Sequence, residues 1–234
     1  MVAPSHLTAA AGDKQATVRW QTNQPENRVI SGYNIYQSTE NAKFEKVTST
    51  PYPGDLDAGF VEESYLAAGL ENGASYRFTV STVYPSGREA FAPDTVEVVP
   101  RPEGTIRLLQ SFKGNESGFS FARQSSVPTD DLNNDIYLTT IKGKLHLASP
   151  SRIDVVLHKS GFLPLSEDQL PNVGSMKVQT SDFNESIAIG VGDIVVVWTS
   201  DEHYALVKIT AADAKDAVVQ MNYVYQTRRR MLRF

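Results

Sequence analysis

The sequence predicts an all-β protein made of two domains. Turn-forming clusters rich in Gly, Pro, Asn and Asp recur about every ten residues in the first half, and short β-rich runs lie between them. Apolar and polar residues alternate along several runs, as in strands with one buried face. The best candidate helix, residues 211–217, is short, and we interpret it as a connection between strands. We therefore predict a β-sandwich followed by a second antiparallel β-sandwich or barrel.

A proline-containing segment marks the domain boundary. Residues 100–104 read Pro-Arg-Pro-Glu-Gly, and prolines stiffen a linker and resist continuation of a strand. We assign residues 1–100 to the first domain, 101–104 to the linker, 105–227 to the second domain and 228–234 to a basic tail. For this tail we favour a frayed, solvated terminus over contact with anionic lipid or a partner.

Composition excludes several classes of function. The chain has no cysteine, so disulfide frameworks, Cys-ligated zinc and a thiol nucleophile are absent. Its net charge is −5, and neither half is basic, which argues against nucleic acid as the main partner. No apolar run reaches the roughly 20 residues needed to cross a membrane. No signal peptide is recognised, and we expect membrane association only through a lipid anchor outside this sequence.

The first domain resembles fibronectin type III domains. The resemblance rests on Pro4, Leu7, residues 16–20 (Ala-Thr-Val-Arg-Trp), residues 32–36 (Gly-Tyr-Asn-Ile-Tyr) and residues 70–76, which end on Tyr76. These pieces occur in order and at suitable spacing. The resemblance implies a seven-stranded sandwich with a tyrosine corner, in which the Tyr76 hydroxyl hydrogen-bonds to the preceding turn. Such domains usually serve as spacers or protein-binding modules.

The second domain ends in a predicted meander of three strands, at residues 194–199, 204–210 and 218–226. This meander is similar to the closing strands of bacterial exported lipoproteins, including the haem-binding HmuY-type proteins. Residues 118–121 and 135–138 are similar to the start of the same domain. The resemblance implies an exported bacterial protein in the cell envelope or secreted from the cell.

Two histidines form the candidate haem or metal site. His146 and His158 lie in runs predicted as neighbouring strands, each on the face opposite the alternating aliphatic residues. A hairpin could bring the two imidazoles together, and histidine is a common haem and metal ligand. The preferred alternative is a pair of solvent-facing strand histidines.

An oxygen-rich segment is the candidate calcium site, and its ligands would be Asp130, Asp131, Asn133 and Asp135. Calcium takes six to eight oxygen ligands from such closely spaced groups. An EF-hand is excluded, because Ile136 replaces the required Gly and Lys142 replaces the closing Glu. An Asx-rich turn before a strand is the preferred interpretation.

Catalytic motifs are incomplete, so we predict that the protein is not an enzyme. Residues 118–122 (Gly-Phe-Ser-Phe-Ala) approach the G-x-S-x-G elbow but end on Ala and read as a strand. Residues 201–203 (Asp-Glu-His) read as a polar turn. Tyr52 and Tyr84 are predicted to be exposed aromatic contacts for a ligand, whereas Trp198 is predicted to lie in the core.

These observations favour a non-catalytic exported or cell-surface bacterial protein that works as a binding or spacer module. One alternative is a carrier of a small ligand, either haem or a carbohydrate. A second alternative is an accessory module of a polysaccharide-degrading system. We expect partners among proteins or glycans of the cell envelope. No cofactor is expected, with haem and calcium as the candidates to test.

Overall fold

The computed structural model describes residues 2–22, 30–39, 42–54, 61–110, 116–154, 156–232 and 234. The chain divides into two compact units, Met1–Arg101 and Pro102–Phe234. Within the described ranges the regular elements are 18 β-strands and three short 3-10 helices, so the predicted all-β class is confirmed. None of the helices in those ranges is long and apolar enough to cross a membrane.

The first unit is built from two antiparallel sheets. One has the order β1–β2–β5 and the other β4–β3–β6–β7, with β8 also paired to β6. Both β7 and β8 pair with β6, one after the other, so together they occupy one strand position. The eight segments therefore fill the seven positions of the predicted sandwich. The strands are β1 (Ser5–Gly12), β2 (Gln15–Gln21), β3 (Gly32–Thr39), β4 (Glu45–Lys46), β5 (Glu62–Ala68), β6 (Tyr76–Val83), β7 (Glu89–Phe91) and β8 (Val96–Val98).

Alternation along the strands places apolar side chains between these two sheets. Ala16, Val18 and Trp20 of β2 are fully buried, and Phe78 of β6 belongs to the same core cluster. The Trp20 ring meets Tyr33 of β3 edge-on, with 5.0 Å between ring centroids. The two-residue period of the sequence therefore predicts correctly which strand faces are buried.

The tyrosine corner is present. The backbone N–H of Glu71 donates a hydrogen bond of 2.9 Å to the hydroxyl oxygen of Tyr76. The adjoining turn is held by a 2.9 Å bond from the Leu70 N–H to the Lys14 carbonyl. The predicted contact of Tyr76 with its preceding turn is confirmed, and it fixes the entry into β6.

Replacing Tyr76 with phenylalanine should destabilise the first unit by about 1–2 kcal/mol, because the Glu71 N–H would lose its acceptor while the aromatic packing stays. Urea unfolding followed by Trp20 emission, in a Trp198→Phe background, measures this change. An unchanged unfolding midpoint would show that water replaces the hydroxyl without loss.

The second unit also contains two five-stranded sheets, ordered β11–β10–β12–β13–β15 and β14–β16–β17–β18–β9. The predicted meander corresponds to β16, β17 and β18, which pair antiparallel in sequence order. The strands are β9 (Glu103–Leu109), β10 (Gly118–Ser120), β11 (Ser125–Val127), β12 (Ile136–Ile141), β13 (Lys144–Ala148), β14 (Gly161–Leu165), β15 (Ser186–Ala188), β16 (Ile194–Trp198), β17 (Tyr204–Asp213) and β18 (Val218–Gln226). The 3-10 helices span Pro150–Arg152, Glu167–Ser175 and Thr180–Asp182.

The main core of the second unit takes side chains from both sheets, so this unit is a sandwich. Aliphatic residues of β12 and β13 share one cluster with those of β16 to β18. Five aromatic residues lie within it, namely Phe119, Phe121, Phe162, Tyr223 and Tyr225. Phe121, just after β10, contacts Phe119, Tyr223 and Tyr225 at 5.4, 5.8 and 5.7 Å between centroids.

A separate apolar cluster lies on the outer face of the β14–β16–β17 region. It contains Leu165, Val173, Ile194, Val196 and Leu232, with partly buried residues of the 166–183 segment packed against it. This outer layer explains the unbroken apolar run of β16. Residues 195 and 197 point into the main core, while residues 194 and 196 point into the outer cluster, so both faces of the strand are buried.

Two boundary predictions need correction. Glu103 and Gly104, assigned to the linker, are the first residues of β9 and pair with β18, because edge pairing satisfies their backbone groups. The frayed tail is also wrong for its described part. Arg230 forms an ion pair of 2.5 Å with Glu202, and Leu232 is 7% exposed within the outer cluster, since burying it removes apolar surface from water.

Candidate ligand-binding site

An open pocket of about 520 Å³ lies beside the first residues of β14. Its volume falls within the range of about 300–1,000 Å³ that is usual for small-molecule sites. It is lined by Lys159, Ser160, Gly161, Thr180, Ser181, Phe183, Glu185 and Trp198. Three segments that are distant in sequence therefore build one concave surface, which combines two aromatic rings with hydroxyl and charged groups.

Gly161 shapes the bottom of this pocket. It pairs with Trp198 across the β14–β16 ladder, so both residues belong to the same sheet face. On the other edge of β14, Phe162 and Asn184 exchange two backbone hydrogen bonds of 2.9 Å. A Cβ atom at position 161 would lie 2.5 Å from the Cβ of Phe183. Glycine is needed here for the close approach of Phe183.

The polar rim of the pocket carries one cation and one anion. The ammonium of Lys159 lies 3.0 Å from a carboxylate oxygen of Glu185, and both side chains are more than half exposed. Thr180 and Ser181 add hydroxyl groups from an exposed 3-10 turn. The charges of the rim cancel, while donors and acceptors remain within reach of a ligand.

A second polar group, which we call the carboxylate–imidazole cluster, consists of Asp135, His158, Asp201, His203 and Tyr225. Nδ1 of His158 lies 3.8 Å from Oδ1 of Asp135. Nδ1 of His203 lies 3.0 Å from Oδ2 of Asp201, without the alignment of a hydrogen bond. The His203 ring rests 5.6 Å from the ring of Tyr225. The cluster adjoins the pocket along the chain, since His158 precedes Lys159 and the Asp201 turn follows Trp198.

Burial determines the protonation behaviour of Asp135, whose side chain is 8% exposed. Desolvation raises the pKa of its carboxyl to about 6, and the negative charge of Asp201 adds to this. The N–H of Phe121, which donates a 2.8 Å hydrogen bond to Oδ2, and the imidazole of His158 act in the opposite direction. Asp135 can therefore take up and release a proton close to neutral pH.

The pKa values of the two neighbouring groups, Asp201 and Tyr225, shift in opposite directions. Burial opposes ionisation of Asp201, but the Thr199 hydroxyl bonded at 2.5 Å and the imidazole of His203 outweigh it and lower the pKa of that carboxyl. Burial, followed by the negative charges of Asp201 and Asp135, raises the pKa of the Tyr225 hydroxyl. Two nearby carboxyls thus have separated pKa values, a pattern that is common at functional sites.

The structure does not form the hairpin predicted to bring His146 and His158 together. The backbone of residues 150–154 turns, because the N–H groups of Ile153 and Asp154 bond back to the Pro150 carbonyl at 2.9 and 3.3 Å. His146 lies on β13 with Nδ1 2.9 Å from the Lys144 carbonyl. The strand prediction is wrong for residues 153, 154 and 156–158, and the haem hypothesis loses this geometric basis. Position 155 lies outside the described residues.

The four candidate calcium ligands form an Asx-rich turn. Oδ1 of Asp131 accepts hydrogen bonds from the backbone and side-chain N–H groups of Asn133 at 2.7 and 3.1 Å. Asp130 is exposed, and Asp135 points into the carboxylate–imidazole cluster. Across the described residues, no three His, Asp or Glu side chains are placed to hold a metal ion together. Calcium binding stays an untested hypothesis.

The two predicted aromatic contacts of the first unit are engaged internally. Tyr52 is half-buried and packs against the core, with its ring centroid 6.4 Å from Trp20 and 5.4 Å from Tyr65, so it is less exposed than the sequence predicts. The hydroxyl of Tyr84 accepts a 2.5 Å hydrogen bond from the Val2 N–H and is half-buried. Neither residue is a free aromatic platform.

The sequence does not predict the pocket, because the apolar run that ends at Trp198 predicts a core position for this residue. It is half-buried and lines the pocket. One signal was available: Gly161 stands beside a short apolar strand, and an isolated glycine in a strand often marks a close approach. The partner in that approach, Phe183, lies 22 positions further along the chain, so sequence alone does not identify it.

Comparison with known proteins assigns the first unit. The family model of the fibronectin type III domain matches residues 2–97, and no curated protein matches the chain. A solved structure described as a myokine structure is 22% identical, with 42% of this chain and 97% of that chain covered and a TM-score of 0.31. An Fn3-like protein from Clostridium thermocellum is 17% identical, with coverages of 43% and 91% and a TM-score of 0.29.

A two-domain fibronectin type III segment of chicken tenascin aligns over both units. It is 11% identical, covers 88% of this chain and 91% of that chain, and has a TM-score of 0.33. The comparisons give no support to a resemblance of the second unit to HmuY-type proteins. Residues 2–97 form a fibronectin type III domain, a generic binding or spacer module.

Proposed function

We propose that the chain is a non-catalytic, two-domain binding protein of the bacterial cell envelope. In this proposal the fibronectin type III domain acts as a spacer or docking module, and the second unit holds a small ligand. The observation that carries the proposal is the pocket around Gly161. Its combination of aromatic walls and a few convergent polar groups is typical of ligand sites.

The local structure supports binding over catalysis. Ser120, the serine of the incomplete elbow motif, is 1% exposed within β10, whereas the nucleophile of a complete elbow stands on an exposed strand–turn–helix junction. The pocket itself offers Lys159 and Glu185, which already pair with each other at 3.0 Å. A paired, half-exposed lysine and carboxylate are suited to hydrogen bonding with a ligand.

A ligand screen at Trp198 tests the proposal. In a Trp20→Phe background, Trp198 is the remaining tryptophan of the chain, so its emission reports on the pocket. The probes are haemin, neutral oligosaccharides, acidic oligosaccharides and a fragment library. We expect at least one probe to shift the emission saturably, and we expect Ser181→Phe, which fills the exposed rim, to abolish that shift.

The matched control is Ser126→Phe, which adds the same ring at an exposed position of β11 in the other sheet. It should leave binding unchanged. Binding that survives Ser181→Phe, or a screen in which no probe shifts the emission, would contradict the proposed pocket function. Hydrolysis of an ester, glycoside or peptide probe would contradict its non-catalytic character.

The envelope setting is tested separately by fractionation of the cells that produce this protein, with an antibody against the chain. Recovery in the periplasmic, membrane or secreted fraction supports it, because a protein of the cell envelope must first leave the cytosol. Recovery in the cytosol alone would reject this part of the proposal and leave the binding function unaffected.

A further inference from the structure

The walls of the pocket suit one face of a flat, partly apolar ring. Trp198 and Phe183 lie on the two sides of Gly161, because β14 pairs with β16 along one edge and with Asn184 along the other. The missing side chain of Gly161 lets Phe183 pack directly against β14, since a Cβ at position 161 would lie 2.5 Å from the Phe183 Cβ, and both aromatic residues line the pocket. Aromatic rings pack favourably against C–H groups, and a ligand with a row of axial C–H bonds would present such a face.

The rim suits adjacent hydroxyl groups. The Lys159 ammonium is a donor and the Glu185 carboxylate an acceptor, and they stand 3.0 Å apart. Two neighbouring hydroxyls of one ligand match this pair, because one hydroxyl accepts from the ammonium while the other donates to the carboxylate. Thr180 and Ser181 provide further hydroxyl partners nearby.

The charge balance selects against ions. With one cation and one anion at the rim, the pocket lining has no net charge, so it offers an ion of either sign no net electrostatic attraction. Histidine, the usual protein ligand of haem iron, is absent from the residues that line the pocket. An uncharged, cyclic ligand that is rich in hydroxyl groups fits both the aromatic lining and the paired charges of the rim.

We infer that the pocket binds a neutral saccharide, with one ring stacked on Trp198 and two adjacent hydroxyls bound by Lys159 and Glu185. This inference rests on the proposed ligand-binding function of the second unit and names the class of its ligand. A chain of such rings can extend out of the open pocket, so neutral oligosaccharides are the appropriate probes.

The test is isothermal titration calorimetry of the full chain against neutral glucan, xylan and mannan oligosaccharides, with oligogalacturonate as the acidic comparison. We expect saturable binding of at least one neutral oligosaccharide. Trp198→Ala should weaken it at least tenfold, and Trp198→Phe, which keeps a ring, should weaken it less. Lys159→Met and Glu185→Gln should each weaken it severalfold.

Phe91→Ala is the matched control, because it removes an aromatic ring that is 51% exposed on the first unit, and it should leave affinity unchanged. Raising the salt concentration should also have little effect, since no net charge is exchanged. Stronger binding of oligogalacturonate, or neutral binding that survives Trp198→Ala in a folded protein, would overturn the saccharide inference. If only haemin or a fragment binds, and Ser181→Phe abolishes that binding, the inference fails while the ligand-binding function stands.

Discussion

Replacing Phe121 with alanine is expected to lower the free energy of unfolding of the second unit by roughly 3–5 kcal/mol. Phe121 is fully buried and contacts Phe119, Tyr223 and Tyr225 in the main core. Its removal eliminates these ring contacts and leaves a cavity. The backbone N–H that it donates to Asp135 remains in the variant, so the change isolates the packing of the ring.

Urea unfolding followed by Trp198 emission, in the Trp20→Phe background, measures this loss in the second unit. The control is Leu132→Ala, since Leu132 belongs to the same unit and is 68% exposed. A surface change of this kind stays within about 0.5 kcal/mol. Equal effects of the two substitutions would mean that the aromatic cluster does not organise the core.

Asp135→Asn is expected to stabilise the second unit at pH 8 and to lose most of this gain by pH 4. The folded-state pKa of Asp135 is raised to about 6, whereas an unfolded carboxyl titrates near 3.9. Between these values the folded protein binds more protons than the unfolded chain, so stability falls as pH rises. Ionising the buried carboxyl of Asp135 therefore costs the folded unit roughly 1–3 kcal/mol of stability above pH 6. Asparagine stays neutral at every pH and avoids this cost.

Thermal unfolding between pH 4 and pH 8, compared with the unsubstituted chain, measures the effect. The asparagine of the Asp135→Asn variant can still accept the hydrogen bond from the Phe121 N–H through its side-chain carbonyl oxygen. Asp131→Asn is the matched control, and its effect on stability at pH 8 should have the opposite sign. Hydrogen bonds from the backbone and side chain of Asn133 lower the pKa of Asp131. The stabilising effect of Asp131 is present above the unfolded pKa and is lost in acid, so this variant should be less stable at pH 8. Destabilisation of Asp135→Asn at pH 8 would contradict the buried, raised pKa.

Local patterns predict the strands where one face is buried and the other is wet. In β2 the alternation of residues 16–20 identifies the core face correctly, with Trp20 at its centre. Alternation also predicts a strand over residues 153–158, and this prediction is wrong for the described residues 153, 154 and 156–158. There Pro150 begins a 3-10 turn, and Oδ1 of Asp154 accepts a 2.9 Å hydrogen bond from the Val156 N–H. Local side-chain bonds of this kind compete with strand pairing.

The carboxylate–imidazole cluster shows a different limit. Asp135, His158 and the Asp201–His203 turn belong to three separate connections between strands. Taken one at a time in the sequence, they predict a calcium ligand, a haem ligand and a polar turn. Their common position depends on how the two sheets pack against each other. The alternation of apolar and polar residues within a strand does not determine this packing.

The sequence by itself determined that the chain holds two β-rich units, that its first hundred residues form a fibronectin type III sandwich with a tyrosine corner at Tyr76, and that residues 194–226 form a meander. These features follow from the two-residue period and from turn chemistry, which act between near neighbours. Only the tertiary structure decided the outer apolar layer and the pocket of Gly161, Phe183 and Trp198. Those contacts join segments that are distant in sequence, and their register is set by pairing across the sheet.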